Sequence, residues 1–228
     1  MNKISLLAMG AVLSAGTAAS ADFLSFEGDI NEVGDYTVIS MYAVYDTNDI
    51  ALNVFNADVS TSDAGGFNQS DVQIGAGGTW APNASLDIPG FSDSSIDSFA
   101  TIGYGVGAAA ATNGSALDPS FLDATQGLGG YIPANAGWYN GNPTNNQTAT
   151  EQAGFDFAVF VGQFSFLTSR VEDAGDVNFF SFDCEMGSKN ASGEVFFGSD
   201  TYIWNEVPAP GALALLGLGG LAARRRRG

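Results

Sequence analysis

The chain has 228 residues, with seven basic against twenty-five acidic side chains, no histidine and one cysteine, Cys184. The lack of histidine excludes Ser-His-Asp and Cys-His catalysis and a histidine-ligated zinc site, and a lone cysteine can form neither an intrachain disulfide nor a cysteine-based metal site. The acidic surface repels phosphate backbones, so we expect no nucleic-acid partner.

The first 21 residues have the three parts of a secretory signal peptide. Lys3 supplies the positive start, "ISLLAMGAVLSAG" is the apolar stretch, and the small residues Ala19 and Ala21 stand where signal peptidase requires them. The apolar stretch is shorter than the ~20 residues that span a bilayer. We therefore expect export through the Sec machinery and cleavage by signal peptidase after Ala21.

Residues 22–206 are predicted to form a single domain between this signal peptide and a C-terminal segment, 207–228. The domain holds all twenty-five acidic residues, and its only basic residues are Arg170 and Lys189, so its net charge is −23. Such a surface opposes binding to anionic lipid and attracts cations.

The domain is rich in Gly, Asn, Asp, Ser, Thr and Phe and poor in good helix formers, which predicts strands and turns. We expect an all-β fold, a single antiparallel β-sandwich or jelly-roll-like domain with long Gly/Asn-rich loops. A signal peptide and a short C-terminal hydrophobic helix would flank it. Strands are predicted at 35–46, 50–60, 72–74, 94–106, 155–169, 177–186 and 193–206.

Two predictions about these strands and one about a loop are more specific. The runs 35–46 and 50–60 are predicted to form a hairpin, because the Asp and Asn residues between them tolerate tight turns. The run 155–169 has five phenylalanines and no charge after Asp156, so we place it at the centre of a sheet. The stretch 131–154 has little periodicity and is predicted to be a long surface loop.

Two loop-like stretches offer the hard oxygen ligands that calcium prefers. The candidate ligands are Asp46, Asn48, Asp49, Glu172, Asp173 and Asp176. Neither stretch has the spacing of an EF-hand loop, and Asp and Asn also favour ordinary solvated turns. Calcium therefore enters as a possible cofactor and not as a requirement.

Aromatic residues in the loops suggest a carbohydrate site. Trp138 and Tyr139 lie beside amides in "GWYNGNP", and Trp80 lies in a second glycine-rich stretch. Such a surface can stack on a sugar ring and hydrogen-bond its hydroxyls. The alternative is that Trp138 packs into the core, since large aromatic side chains are usually buried.

Two further residue types invite chemical hypotheses. Pairs of carboxylates serve glycosidases, and Glu151 with Asp156, or Glu172 with Asp183 or Glu185, are candidates. Twenty-five acids make any such pair unspecific. Cys184 stands between apolar residues and is expected to be a buried thiol, with an intermolecular disulfide as the alternative.

The C-terminal segment "VPAPGALALLGLGGLAARRRRG" has a proline entry, an apolar run and a basic end. The run 211–223 would rise ~20 Å as a helix, which is short of a ~30 Å hydrocarbon core. A cluster of basic residues would hold its end at the cytoplasmic side. These residues are Arg224, Arg225, Arg226 and Arg227.

This order of features resembles the PEP-CTERM sorting signal of bacterial exported proteins. The sorting motif comprises Val207, Pro208, Ala209 and Pro210, of which the last three form Pro-x-Pro, with Ala209 in place of the family's glutamate. The resemblance implies transient membrane insertion and cleavage by an exosortase, a membrane-embedded cysteine protease, near this motif. It covers about a tenth of the chain. A plain C-terminal membrane anchor is the alternative.

Together these features predict an exported, acidic, non-enzymatic protein of structural or adhesive type. Its expected location is the cell envelope, the cell surface or an extracellular matrix, where exopolysaccharide would be a partner. A carbohydrate-binding module, assisted by calcium or not, is the second hypothesis. An extracellular hydrolase is the third.

Overall fold

A computed structural model of the protein describes most of the predicted domain. The described residues are 22–70, 80–82, 87–90, 93–103, 115–122, 130–142, 145–173 and 179–205. The predicted signal peptide, the predicted strand 72–74 and the whole C-terminal segment lie outside them.

The described residues form ten strands and two short helices. In chain order the strands are β1 (Phe23–Val33), β2 (Tyr36–Tyr45), β3 (Ile50–Thr61), β4 (Phe99–Ala100), β5 (Ser115–Leu117), β6 (Ala136–Asn140), β7 (Thr150–Gln152), β8 (Phe155–Leu167), β9 (Phe180–Lys189) and β10 (Val195–Trp204). A 3₁₀ helix spans Pro119–Leu122, and helix α1 spans Thr168–Asp173. In this part of the chain no helix is long and apolar enough to cross a membrane.

The strands form two five-stranded antiparallel sheets that pack face to face. Sheet 1 has the order β1-β2-β8-β4, with β7 also paired to β8, and sheet 2 has the order β10-β9-β3-β6-β5. Rings from both sheets meet in the core, where Phe164 of β8 lies 5.7 Å from Phe182 of β9. The prediction of an all-β antiparallel sandwich is confirmed.

Strand β8 lies at the centre of sheet 1, as its phenylalanine content predicts. Nine consecutive residues, 158–166, are buried, because both faces of the strand are covered. On the inner face Phe164 packs against Phe180 with ring centroids 5.2 Å apart. On the outer face Gln163 donates to the Ser94 and Asp97 carbonyls, so a loop covers this side.

The predicted hairpin between 35–46 and 50–60 is wrong. Strand β2 pairs with β1 and β8, so both its edges are occupied, and β3 pairs with β9 and β6 in the other sheet. Residues 46–49 therefore carry the chain from sheet 1 to sheet 2. At this crossing the Tyr45 hydroxyl lies 2.9 Å from Ser188 Oγ, which joins the two sheets.

The hairpin that does occur joins β1 to β2, and β1 was not among the predicted strands. Val33 pairs with Tyr36 across two residues, Gly34 and Asp35. Gly34 has φ of 61°, as the first central residue of a type II′ turn requires. A glycine at this place matches the turn to the twist of the strands.

Two other sequence predictions need correction. The stretch 131–154 is not a surface loop, because it contains β6 and β7 and is fixed by buried amides; Gln147 donates to the Asn140 carbonyl at 2.7 Å. In the predicted strand 94–106 only Phe99–Ala100 is extended within the described residues. Asn and Gly, which favour loops, here flank short strands.

At the open edge of the sandwich β1 runs beside β10 in the same direction. Gly28 lies against the Tyr202 ring and Gly198 against the Phe23 ring, where a Cβ atom would have no room. The described chain therefore begins at one end of the sandwich and leaves at the other.

Candidate functional site

Strand β10 places large apolar side chains on the outside of sheet 2. It pairs only with β9, and its residues alternate between exposed and half-buried along its whole length. The side chains of Phe197, Val195 and Ile203 are 68%, 51% and 45% exposed. Exposed apolar side chains in one row are unusual for an edge strand, where charges normally prevent association.

The pairing register of sheet 2 also places Phe197 in a second row of residues, which crosses four strands. Phe197 pairs with Gly187, Gly187 with Asn53, and Asn53 with Tyr139. Three interstrand steps of ~4.8 Å place the outer two residues ~14 Å apart. Tyr139 is 56% exposed, so the row begins and ends with an accessible ring. We call these four residues the aromatic row.

The glycine in the row decides how its neighbours lie. A Cβ on Gly187 would meet the Asn53 side chain and the Phe197 ring, so both of these side chains lie over the bare backbone. Phe197 also reaches across β9 to Phe55, with ring centroids 5.9 Å apart and planes at 86°. Packing of an aromatic ring over a glycine on the next strand stabilises the sheet. This packing accounts for the position of Phe197 but not for its exposure.

Carboxylates surround the aromatic row. Asp58, Asp183 and Glu185 lie on the same outer face. Asn56, which has φ of 47° at a β-bulge, donates to Glu185 at 2.9 Å. This bond orients the carboxylate beside the aromatic row.

A shallow depression of about 190 Å³ lies at the Tyr139 end of the row. Its lining includes Asn53, Phe55, Gly137 and Asp118. The backbone amide of Ser120 donates to Asp118 at 2.8 Å, and this bond lowers the pKa of the Asp118 carboxyl below its ordinary value. Asp118 is therefore ionised at neutral pH and can accept hydrogen bonds. The outer face thus offers rings for stacking, with amide and carboxylate groups between them.

The side chains of the two tryptophans of the predicted carbohydrate site do not reach this surface, although Trp138 contributes to the lining of the depression. Trp138 and Trp80 are 1% and 0% exposed. Trp138 points into the core from β6, and its Nε1 donates to the Thr101 and Val161 carbonyls at 3.0 and 3.1 Å. Trp80 packs edge-on against Phe67 at 5.7 Å. Neither ring can stack on a sugar, and only Tyr139 of the predicted three is available.

The candidate calcium ligands that the structure describes lie in two places. Asp46, Asn48 and Asp49 lie in the connection from β2 to β3, where Asp49 alone is buried. Glu172 and Asp173 end helix α1, and Asp176 lies outside the described residues. Among the residues that the structure describes, no three acidic or cysteine side chains are grouped closely enough to hold a metal ion.

The structure brings a further carboxylate to that connection. The backbone amide of Asp22 donates to Asp46 Oδ1 at 3.1 Å. Asp49 Oδ2 is buried and has no hydrogen-bond partner. Burial raises the pKa of the Asp49 carboxyl; a bond from Thr47 lowers it, and the charges of Asp46 and Asp22 raise it further.

The candidate carboxylate pairs lie on exposed or outward-facing positions. Glu151 and Asp156 are both exposed on the β7–β8 hairpin. Asp183 and Glu185 belong to the outer face of β9, and Glu172 belongs to helix α1. A glycosidase acid is held protonated by buried surroundings. The Glu151–Asp156 pair lacks such surroundings.

Sequence reasoning missed Phe197, Phe55 and Asn53. One signal for Phe197 is present in "VFFGSDTYIW", because large apolar residues occur on both parities of a strand that ends the domain. A strand at the edge of a sandwich buries only one face, so one set of these residues had to be exposed. No known family model, curated protein or solved structure matches the chain.

Proposed function

We propose that this protein is exported and acts, without catalysis, as a structural or adhesive component of the cell envelope or extracellular matrix. The two ends of the sequence support export and sorting. The PEP-CTERM-like segment would insert transiently in the membrane and be cut by an exosortase near Pro208 and Pro210. The domain would then be released or transferred to the cell surface.

The observation that carries the adhesive role is the exposed aromatic row on the outer face of sheet 2. Phe197 and Tyr139 are both more than half exposed, whereas most other large aromatic side chains of the described residues are buried. Exposed rings that are rimmed by polar groups mark binding surfaces. Over the described residues, the depression on this face of the sheet is shallow, and this shape suits an extended chain better than a small molecule.

The proposed occupant is a neutral or amino-sugar polysaccharide. A net charge of −23 on the domain repels anionic polymers and also opposes pairing of this face with a second copy of itself. Sugar rings present C–H faces to aromatic rings and hydroxyls to amides and carboxylates. Asn53 and Asp118 supply such polar groups beside Tyr139.

The direction of the strands fits attachment at one end. The described chain starts at β1 and leaves through β10, at the opposite end of the sandwich. A protein that is tethered through its C-terminal segment would therefore hold the sandwich with its long axis away from the attachment point. The aromatic row would lie along its side.

The test is binding of the exported chain to the exopolysaccharide of its own cells and to neutral polysaccharides. We expect Phe197→Ala with Tyr139→Ala to weaken binding at least tenfold, which corresponds to ~1.4 kcal/mol. The matched control is Ser199→Ala on the same exposed face of β10, which should bind as the unaltered protein does. Equal binding by the two variants would refute a role of the aromatic row.

Sorting is tested separately by mass spectrometry of the C-terminus in the cell and medium fractions. We expect the extracellular protein to end near residues 208–210. Extracellular protein that retains Arg224, Arg225, Arg226 and Arg227 would refute processing of this segment.

A further inference from the structure

The charges of Asp22 and Asp46 act on Asp49 at the end of the sandwich where the described chain begins, although these three carboxylates are not grouped closely enough to hold a metal ion. The Asp22 amide donates to Asp46 Oδ1 at 3.1 Å, and the Asp46 amide donates to the Asp22 carbonyl at 3.4 Å. These two bonds fix Asp22 immediately before β1. Asp49 lies three residues beyond Asp46, in the crossing between the sheets.

Asp49 points to a positive charge that the described side chains do not supply. Its exposed fraction is 1%, and its Oδ2 atom accepts no hydrogen bond. Ala149 donates to its carbonyl at 2.7 Å, which holds the residue in place. The charges that act on its carboxyl are those of Asp46 and Asp22. A buried carboxylate oxygen that accepts no hydrogen bond is costly unless a proton or a nearby cation compensates its charge.

No basic side chain fills this role in the described part of the chain. The ion pair there joins Arg170 to Asp63, at another place in the fold. Lys189 pairs in register with Ile50, beside Asp49, but forms no ion pair with these carboxylates.

We propose that signal peptidase, by cutting the Ala21–Asp22 bond, creates an α-ammonium group on Asp22 that pairs with the Asp46 carboxylate, in the connection that also holds the buried Asp49. Water is added across that peptide bond, the signal peptide leaves with a carboxylate on Ala21, and the Asp22 nitrogen becomes an ammonium at neutral pH. This inference rests on the proposed export. The nitrogen that gains the charge already lies 3.1 Å from a carboxylate oxygen.

Cleavage would strengthen the hydrogen bond from the Asp22 nitrogen to Asp46. An amide offers one proton and no charge, whereas an ammonium offers three protons and a positive charge, and charge-assisted bonds are about twice as strong. An ammonium also needs fewer converging oxygens than calcium, which takes six to eight. The processed protein is therefore more stable at this end than the precursor.

The stabilisation depends on pH with a definite sign. The ordinary pKa of an α-amino group is about 8, and nearby carboxylates raise it in the folded state. The contribution is complete below about pH 8 and disappears as the pH rises through the folded pKa. The carboxylate bonded to the Asp22 nitrogen is that of Asp46, and the neighbouring titratable groups of this connection are the Asp22 and Asp49 carboxyls and the Tyr45 hydroxyl. Burial raises the pKa of the Tyr45 hydroxyl above its ordinary value, so Tyr45 stays neutral over the pH range in which the α-amine titrates.

The experiment uses the exported chain and acetylation of its α-amine. Lys189 is the only lysine after residue 21, so Lys189→Arg leaves the α-amine as the single amine to modify. We expect acetylation to lower the melting temperature by about 2–4 °C at pH 7, which is the shift produced by one charge-assisted contact in a domain of this size. The shift should vanish at pH 10 and in the Asp46→Asn variant.

Each outcome has a distinct meaning. A mature N-terminus other than Asp22 would overturn this inference, and a retained signal peptide would overturn the proposed export as well. An N-terminus at Asp22 with no effect of acetylation would overturn the ion pair alone. The inference would also be overturned if calcium raised the melting temperature equally in the unmodified and the acetylated protein. A metal ion would then occupy the position that is assigned to the α-ammonium group.

Discussion

The backbone amide of Phe26 donates a 2.9 Å hydrogen bond to the Asp200 carboxylate, which joins β1 of one sheet to β10 of the other. Among the described strands β1 pairs only with β2, so its other edge has no strand partner there. An uncovered strand edge invites association with other chains. Asp200 occupies part of that edge and closes the open side of the sandwich without strand pairing.

Removal of this carboxylate should destabilise the protein. We expect Asp200→Ala to lower the free energy of unfolding by ~1–3 kcal/mol, because a part-buried amide loses its acceptor. Asp200→Asn, which keeps an acceptor oxygen, should cost less. Urea unfolding measures the change, and Asp183→Ala on the outer face of β9 is the control. A loss no larger than that of the control would refute the role of the bond.

The Glu27 carboxyl makes the stability of the protein depend on pH. Burial raises the pKa of its carboxyl; a bond from Ser25 lowers it, and the charge of Asp200 raises it. The folded state therefore binds this proton more tightly than the unfolded state. Stability falls as the pH rises from the ordinary pKa of 4.5 through the folded one, and the loss is complete above it.

Glu27→Gln should remove that loss. We expect the variant to be slightly more stable than the unaltered protein at pH 7, by less than ~1 kcal/mol because the group is part-exposed. The advantage should shrink as the pH falls to 4, in thermal unfolding followed across this range. Glu32→Gln, at an exposed position of the same strand, is the control for the loss of one surface carboxylate. If the difference in stability between Glu27→Gln and the unaltered protein stayed constant between pH 4 and 7, the raised pKa of Glu27 would be contradicted.

Trp138 should behave as a core residue. We expect Trp138→Phe to cost ~2–4 kcal/mol in the free energy of unfolding, because the smaller ring leaves space and the bonds to the Thr101 and Val161 carbonyls are lost. Tyr139→Phe, the neighbouring exposed position, should change stability by less than ~0.5 kcal/mol. Chemical denaturation compares the two. Unchanged stability with lost polysaccharide binding in Trp138→Phe would instead place this ring in a ligand site.

The sequence predicts a strand best where the pattern of apolar residues within that strand is enough to show how it is buried. Strand β8 is such a case, since a long apolar run can only be buried on both faces. The β1 strand has one buried residue, Phe26, among polar ones and gives no comparable pattern. The turn residues 46–49 suit both a hairpin and a crossing between sheets. The choice depends on which edges of β2 are free, and β1 and β8 occupy them.

The candidate site was less predictable because pairing across strands creates it. Phe197 and Tyr139 are neighbours in one row only through Gly187 and Asn53, which come from two other strands. Local composition therefore drew attention to Trp138, whose side chain points to the opposite face of the same strand as Tyr139. Alternation along β6 buries one and exposes the other.

The Cys184 thiol should be unreactive until the protein unfolds. It is 1% exposed, and burial raises its pKa well above the ordinary value; the charges of Asp183 and Asp58 raise it further, against a bond involving the Asp58 backbone. Since the thiolate is the reactive form, we expect a thiol reagent to label the native protein at least a hundredfold more slowly than the urea-unfolded protein. Free Cys in the urea-unfolded chain is the matched reference. Rapid labelling of the native protein, or a dimer that a reductant dissolves, would show instead that the thiol is accessible and would support the intermolecular disulfide.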